Sequence, residues 1–280
     1  MGLIREFVAG RTPPELYEEY LTPGFFKPWT DRLIAQSPPS GRVLDVACGT
    51  GAVSRAIARH ASNAVIDAID VAPPMLQFGE AETARQELSD RISFHQASAD
   101  RLPFEADTFD HLYCQQGLQF FPDKVAALTE MKRVMKPGAK LALSVWTAAD
   151  NGNPAFEAFE TLIAARLGAD LVPFGPFSYP DIEAVRQVAS DAGLTIESLE
   201  QQSCMARLPT PRTLVLFDLL FLGRPAEDGS LQPLFDPTDA SKDEEIQALI
   251  TTYGSAIAEF VEPDGTIHCP SSANVLIATA

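Results

Sequence analysis

The chain has 280 residues and an apolar content of 46%, enough to bury the core of one large α/β domain or of a domain with a subdomain. Its formal net charge is −17, and residues 151–280 hold 19 of the 38 acidic side chains but only 6 of the 21 basic ones. This balance repels phosphate backbones and anionic bilayers, so we expect a small-molecule substrate and neither a nucleic acid nor a membrane surface as partner.

Four cysteines are scattered along the chain: Cys48, Cys114, Cys204 and Cys269. Because no two of them form a C-x-x-C pair, the sequence predicts neither a zinc site nor a disulfide framework, and no metal is expected. No apolar run approaches the ~20 residues of a membrane-spanning helix, and the longest, residues 214–222, is interrupted by Asp218. No charged and then apolar leader opens the sequence, so we expect a cytoplasmic protein, and a homodimer is compatible with these features.

Residues 1–40 precede the first predicted strand and contain an unusually aromatic segment. The aromatic side chains include Tyr17, Tyr20, Phe25, Phe26 and Trp29. One interpretation is a helix that packs its apolar face on the core. The other is a lid over a bound cation, because aromatic rings attract cations. Both interpretations stay open, and each can apply to different residues of the segment.

The next segment has the pattern of a strand, a glycine turn and a helix. Residues 42–47 are mostly apolar, as in a buried parallel strand, Gly49 and Gly51 interrupt the run, and residues 52–60 carry apolar side chains at helical spacing. Glycines let the backbone approach a ligand, and the first amides of the helix stay free to donate. A dinucleotide site needs G-x-G-x-x-G, and the third glycine is missing, so a plain turn in an α/β domain remains the alternative.

An acid follows the second predicted strand. Residues 64–69 form this strand, and Asp70 ends it roughly 20 residues after the glycine turn, where a carboxylate accepts hydrogen bonds from ribose hydroxyls. Asp70 also precedes Pro73, a favourable helix start, so a helix cap is the competing interpretation. The combination with the glycine turn favours ribose binding.

Strand and helix patterns alternate along the rest of the chain. Further strands are predicted at residues 91–95, from 109 onward, at 141–146, 194–208 and 274–279. Further helices are predicted at residues 124–136, 151–168, 181–192, 213–222 and 243–262. The roughly 60 residues between the last two strands are too many for a bare connection, so we expect them to form a helical cap.

Residues 43–51, with the sequence Val-Leu-Asp-Val-Ala-Cys-Gly-Thr-Gly, resemble the nucleotide-binding motif of class I S-adenosylmethionine (SAM) methyltransferases. The usual form of that motif is acid-x-Gly-x-Gly-x-Gly, and Ala47 stands where its first glycine would be. The resemblance implies that SAM is the cofactor. It also implies that Asp45, Ala47, Gly49 and Gly51 line its site.

Two further segments are similar to the same family. Residues 70–76 resemble the acid-x-Ser-Pro-x-Met-Leu segment, which implies that Val71 and Met75 contact the cofactor and that Met75 packs on the adenine. Residues 96–104 are similar to the Gly-Asp-Ala-x-x-Leu-Pro-Phe loop that recognises adenine. Alignment on the Leu-Pro-Phe part puts Ser98 at the position of the family's Asp and Ala99 at the binding amide, while Asp100 lies two residues late.

Residues 109–123 resemble the fourth strand of these methyltransferases and the loop after it. The resemblance implies that Gln115 contacts the methionine part of the cofactor. Many relatives have two histidines before the Pro-Asp turn, and this chain has Gln119 and Phe120 there, so their common candidate base is missing. The remaining candidates for a base or a positioning group are Tyr20, Gln119 and His268, and a plain loop role for Gln119 stays open.

The resemblance implies a Rossmann-like α/β fold with a seven-stranded, mostly parallel sheet whose last strand is antiparallel, plus a helical cap inserted near the C-terminus. The expected domains are an N-terminal helical lid (1–40), a SAM-binding core (41–208 and 267–280) and a cap for the substrate (209–266). The expected activity is C- or O-methylation of a small aromatic or lipophilic molecule. Two alternatives stay open: a SAM-binding protein with a non-methylating reaction, and a non-enzymatic binding subunit.

Overall fold

Nine strands are assigned in the computed structural model, which describes residues 2–168, 175–225, 231–236 and 239–280. They are β1 (Arg42–Val46), β2 (Val65–Asp70), β3 (Ile92–Gln96), β4 (Phe109–Gln115), β5 (Met135–Trp146), β6 (Thr195–Leu208), β7 (Gly223–Pro225), β8 (Leu231–Pro233) and β9 (Ile267–Thr279). Seven of them form one sheet in the order β3-β2-β1-β4-β5-β9-β6, and β7 pairs with β8 alone.

Ten α-helices lie in the same described part of the chain. They are α1 (Leu3–Val8), α2 (Pro13–Tyr20), α3 (Lys27–Gln36), α4 (Ala52–His60), α5 (Pro73–Arg85), α6 (Lys124–Val134), α7 (Pro154–Arg166), α8 (Ile182–Asp191), α9 (Pro211–Phe221) and α10 (Asp243–Ala256). A π-helix, Thr22–Phe26, joins α2 to α3. None of these helices is both long and apolar enough to serve as a membrane span.

The sheet confirms the predicted fold class. Strands β1 to β5 pair in parallel, and β9 pairs antiparallel with β5 from Lys140 opposite Thr279 to Trp146 opposite Ala273. Central strands are buried on both faces, which explains their continuous apolar sequences: Leu44, Val46, Leu112 and Leu143 are fully covered. The carboxyl ends of β1 to β4 therefore meet at one edge, where ligands of such sheets bind.

The fifth strand is longer than predicted. Pro137 and Gly138 predict a turn before a strand at residue 141, yet β5 begins at Met135, which pairs with Phe109. The register shifts between Phe109 and His111, and Gly138 adopts φ +79°, so an irregularity in the ladder accommodates the Pro-Gly pair. The last strand likewise begins at Ile267 and not at residue 274.

The chain divides into two compact units, which we call the helical unit and the core unit. The helical unit comprises residues 1–25, 149–175 and 205–271, and the core unit comprises residues 26–148, 176–204 and 272–280. These limits do not coincide with the predicted domains, because the first 25 residues and helix α7 group with the insertion. The predicted functions of these segments, namely a lid, a SAM-binding core and a cap for the substrate, stay predictions.

Helix α3 belongs to the core unit, although its sequence lies in the predicted lid. Trp29 and Leu33 are fully buried, and the Trp29 ring packs edge-on against Trp146 with 5.7 Å between the ring centroids. This part of the aromatic segment therefore follows the interpretation of a helix packed on the core. A lid role for the residues before it stays a prediction.

Candidate functional site

The turn between β1 and α4 has a left-handed backbone at three positions. Ala47, Gly49 and Gly51 have φ of +57°, +54° and +77°. A Cβ added to Gly49 would meet no atom of the described part of the chain within 4 Å, whereas one added to Gly51 would lie 2.7 Å from the ring of Phe94. Gly51 is thus required by packing inside the protein. Gly49 leaves open space beside the backbone, where a ligand can approach.

Asp70, at the end of β2, is fixed between two loops. Its Oδ2 accepts a hydrogen bond of 2.8 Å from the Gly49 N–H, and its Oδ1 accepts one of 2.9 Å from the Ala72 N–H. Helix α5 begins after Ala72 and has no side-chain cap, so Asp70 does not act as its N-cap. Each carboxylate oxygen keeps acceptor capacity, which a pair of hydroxyl donors can use.

Asp45, near the end of β1, is a buried acid with one satisfied oxygen. Its Oδ2 accepts hydrogen bonds from the Ser54 N–H (3.0 Å) and the Ser54 hydroxyl (2.5 Å). Its Oδ1 has no partner among the described residues. Burial raises the pKa of Asp45 to about 7, against the lowering effect of the Ser54 hydrogen bonds. A ligand that brings a donor or a cation to Oδ1 would favour the ionised form.

The loops after β2 and β3 lie together. The Ala97 N–H donates to the Asp70 carbonyl over 3.1 Å, and the Gln96 amide donates to the Val71 carbonyl over 3.3 Å. The Val71 side chain is 61% exposed, which is unusual for valine, and Met75 is half-buried. These two residues offer an apolar surface at the predicted adenine position.

The predicted adenine-binding residues differ in exposure. Ser98 and Asp100 are exposed, and Ala99 is buried. The Ser98 carbonyl accepts a hydrogen bond of 3.1 Å from the Arg101 N–H, which closes a turn around Ala99 and Asp100. The turn leaves the Ser98 hydroxyl and the Asp100 carboxylate available at the surface, and the adenine contacts of all three residues stay predictions.

Gln115 binds within the core unit. Its Oε1 accepts a hydrogen bond of 2.8 Å from the Thr30 hydroxyl, and its Nε2 donates to the Phe26 carbonyl over 3.2 Å. Both partners come from the start of α3 and the residue before it. The amide therefore ties α3 to the end of β4, and its predicted contact with the methionine part of the cofactor has no separate support in this geometry.

Gln119, in the short loop helix after β4, is buried without a partner. The residue is 6% exposed, and neither Oε1 nor Nε2 has a hydrogen-bond partner among the described residues. The next residue, Phe120, is 59% exposed. A Cβ added to Gly117 would lie 2.7 Å from the Ala47 Cβ, so this loop packs on the glycine turn. Because an unpaired buried amide is costly, Gln119 is the best candidate for a contact with a ligand.

The other two predicted catalytic residues belong to the helical unit and have partners there. The Tyr20 hydroxyl accepts a hydrogen bond of 2.8 Å from Arg11, whose guanidinium also lies 5.5 Å from the centre of the Tyr20 ring. His268 is exposed, and its Nδ1 lies 3.7 Å from a carboxylate oxygen of Glu262. Neither arrangement supports a catalytic role, and both assignments stay untested predictions.

Three residues whose buried polar atoms have no partner among the described residues were not predicted from the sequence: Thr83, Gln116 and Asp218. Gln116 adopts φ +57°, its Nε2 donates to the Ser144 hydroxyl over 3.2 Å, and its buried Oε1 has no partner among the described residues. Asp218, in α9, has a buried and unpartnered Oδ2. A signal existed only for Asp218, because it is the one acidic residue of α9 and interrupts the apolar run of residues 214–222.

Residues 43–138 match the family model described as a methyltransferase domain, which confirms the resemblance in the sequence. The chain is 37% identical over 158 residues to the ubiquinone/menaquinone biosynthesis C-methyltransferase UbiE of Agrobacterium fabrum, covering 53% of this chain and 60% of that protein. It is 38% identical over 122 residues to the demethylmenaquinone methyltransferase of Lactiplantibacillus plantarum, covering 42% and 51%. The chain thus spans between half and two thirds of the length of these relatives.

The fold is also similar to that of solved structures. The [4+2]-cyclase SpnF superposes with a TM-score of 0.54 at 18% sequence identity, covering 90% of this chain and 79% of the cyclase. At such low identity the likeness shows the fold alone. The similarity therefore supports the seven-stranded architecture and leaves the reaction open.

Proposed function

We propose, from the premise that this chain belongs through residues 43–138 to the class I SAM-dependent methyltransferases, that it methylates a small aromatic or lipophilic molecule. One observation carries the proposal: the Asp70 carboxylate is hydrogen-bonded to the amide of Gly49, where an added Cβ would meet no atom of the described residues within 4 Å. A ribose acceptor and a place of close backbone approach thus lie side by side. Such a pair suits an adenosine.

The residues at this edge fit the groups of SAM. Asp70 has acceptor capacity for the two ribose hydroxyls, Val71 and Met75 offer apolar contact to adenine, and Asp45 Oδ1 offers an acceptor to the cationic amino-acid part. Ala47 departs from the family's glycine, yet it adopts the left-handed backbone that a glycine would take. That conformation costs roughly 1 kcal/mol in alanine, so the turn keeps its shape at a moderate expense in stability.

When bound, SAM would supply an electrophilic methyl group on its sulfonium. An acceptor atom would attack the methyl carbon in line with the carbon–sulfur bond, and S-adenosylhomocysteine would leave. The protein's task is then to align the acceptor and to exclude water. Gln119 would orient an acceptor oxygen through its buried amide, and the exposed ring of Phe120 would pack on a planar substrate. One relative is named as a ubiquinone/menaquinone biosynthesis C-methyltransferase and the other as a demethylmenaquinone methyltransferase, which supports a quinol or phenol as acceptor.

The experiment is to incubate the protein with SAM and a panel of naphthoquinols and phenols, and to measure methylated product and S-adenosylhomocysteine together. We expect both products in equal amounts with at least one acceptor. A converted substrate without S-adenosylhomocysteine would contradict methyl transfer and support a non-methylating reaction, as the name of the SpnF cyclase illustrates for this fold. Absence of both SAM binding and conversion would favour a non-enzymatic binding subunit.

Replacing Gln119 by Leu should make the protein more stable and less active. Leucine removes a buried amide that has no partner among the described residues, so the free energy of unfolding should rise by about 1 kcal/mol. Turnover should fall by roughly 10- to 100-fold, because the acceptor loses its polar contact. Denaturant unfolding and the assay above measure both, with the exposed Gln187 changed to Leu as the control. Unchanged turnover in the Gln119→Leu protein would contradict the positioning role.

A further inference from the structure

The glycine turn after β1 and the loop after β4 touch through two small residues, Ala47 and Gly117. A Cβ added to Gly117 would lie 2.7 Å from the Ala47 Cβ. Because a carbon–carbon bond is about 1.5 Å long, the Gly117 Cα lies at most about 4.2 Å from the Ala47 methyl carbon, within van der Waals contact. Gly117 is buried, and Ala47 is partly exposed. The turn and the loop are therefore packed directly on each other.

The backbone conformation explains neither the glycine nor the alanine. Gly117 has φ −103°, which any residue can adopt, so glycine is required by crowding from the Ala47 methyl group and from the Cys114 sulfur, 3.0 Å from an added Cβ. Ala47 has φ +57°, a left-handed backbone that favours glycine. Such strain is concentrated at functional sites. The Ala47 methyl group thus fills a space that a glycine at this position would leave empty.

The other end of the loop is held by a cation. Lys124 Nζ donates to the Phe121 carbonyl over 2.9 Å, and it lies 4.7 Å from the centre of the Tyr179 ring. Gln119 lies between this end and the end that packs on Ala47. The position of Gln119 therefore depends on two supports, and one of them is part of the turn at which the cofactor is proposed to bind.

We propose that Ala47 is a positioning residue that couples cofactor binding to the loop carrying Gln119. The bound cofactor restricts the glycine turn, and the Ala47 methyl group then holds the start of the loop in place. This coupling rests on the proposed function, because it requires SAM or S-adenosylhomocysteine at the turn. Packed neighbours of this kind can carry energetic coupling between sites. The acceptor then meets an ordered Gln119 after the cofactor has bound, and the bound acceptor in turn strengthens cofactor binding.

Amide hydrogen exchange, resolved by NMR, measures the order of the loop with and without saturating S-adenosylhomocysteine. The amides to follow are those of Phe120 and Phe121, which donate to the carbonyls of Gly117 and Leu118 over 3.0 and 3.2 Å. In the wild type we expect the ligand to slow their exchange about 10-fold. In Ala47→Gly the bound ligand should change it by less than about 2-fold. A general loss of stability would affect the free and the bound protein alike, so it would not produce this difference.

The methyl group can be returned from the other side of the contact. Ala47→Gly combined with Gly117→Ala places a Cβ in the space that the first substitution empties, so part of the slowing should return. The matched control is Ala9→Gly, which replaces another left-handed alanine, with φ +42°, at an exposed position of the helical unit. Its loop should respond to S-adenosylhomocysteine as that of the wild type does.

Folding and ligand binding are checked on the same proteins. Ala47→Gly should unfold within a few degrees of the wild type, because relief of the left-handed backbone offsets the greater freedom of glycine in the unfolded chain. Equal slowing in the wild type and in Ala47→Gly would overturn the coupling, and so would a wild-type loop that does not respond to the bound ligand. Loss of binding in Ala47→Gly alone would assign the methyl group to the cofactor site and overturn the coupling as well. A wild type that binds no S-adenosylhomocysteine would instead overturn the proposed function, and the coupling with it.

Discussion

Changing Asp70 to Asn should weaken the binding of SAM by about 100-fold or more. Each carboxylate oxygen of Asp70 accepts a backbone N–H, from Gly49 and from Ala72, so one of them would face the NH₂ group of asparagine. The substitution also removes the charge from the hydrogen bonds to the ribose, and charged acceptors form the stronger bonds. Isothermal titration calorimetry with SAM measures the change.

The matched control for this prediction is Asp90→Asn. Asp90 carries the same charge, is exposed and lies in the loop before β3, outside the predicted site, so its replacement should change the SAM affinity by less than about 3-fold. Equal losses in the two variants would mean that the cofactor responds to the net charge of the protein. In that case the specific role of Asp70 would be refuted.

The second large effect concerns the glycine turn, where Gly49→Ala and Gly51→Ala should fail in different ways. The new methyl group at Gly49 meets no atom within 4 Å among the residues that the structure describes, so the protein should fold with a loss of about 1 kcal/mol from the left-handed backbone. SAM affinity should fall by at least 10-fold, because the methyl group occupies the space for the ligand. At Gly51 the methyl group lies 2.7 Å from Phe94, and the stability should fall by roughly 3 kcal/mol.

Gly138→Ala is the control for Gly49→Ala. It places the same strain on the backbone at a position away from the proposed SAM site. Gly138 has φ +79° and nothing within 4 Å of an added Cβ, and it lies near the start of β5. Its replacement should reproduce the small loss of stability of Gly49→Ala while SAM binding stays unchanged. Denaturant unfolding and calorimetry on the three variants provide the comparison. If Gly49→Ala bound SAM as tightly as Gly138→Ala, the ligand would not approach the backbone at Gly49.

Most of the core could be predicted from the sequence because local patterns and packing agree there. The apolar run of β1, the glycines after it and the acid after β2 each have a separate physical reason, and together they determine the order of elements. The strand β5 differs, since its pairing with Phe109 outweighs the turn preference of Pro137 and Gly138. Tertiary hydrogen bonding decided this case, and the local sequence gives no sign of it.

The site was predictable only in part. Gly49 and Asp70 follow from spacing, but the partners of Gln115 are Thr30 and Phe26, far away in the sequence. Neither amide atom of Gln119 has a partner among the described residues; this is a property of the packed loop, and composition cannot reveal which glutamine is left in this way. Asp218 shows the reverse, because an acid within the apolar run of residues 214–222 was visible in the sequence, whereas the lack of a partner for its Oδ2 among the described residues is seen only in the fold.

The most direct test of the central claim is a calorimetric titration of the wild-type chain with SAM and, in parallel, with S-adenosylhomocysteine. Both share the adenosine that the edge around Gly49 and Asp70 is proposed to hold. We predict saturable one-to-one binding of both, with Kd values on the order of micromolar, about −8 kcal/mol. The absence of binding for both at about 1 mM would contradict the account.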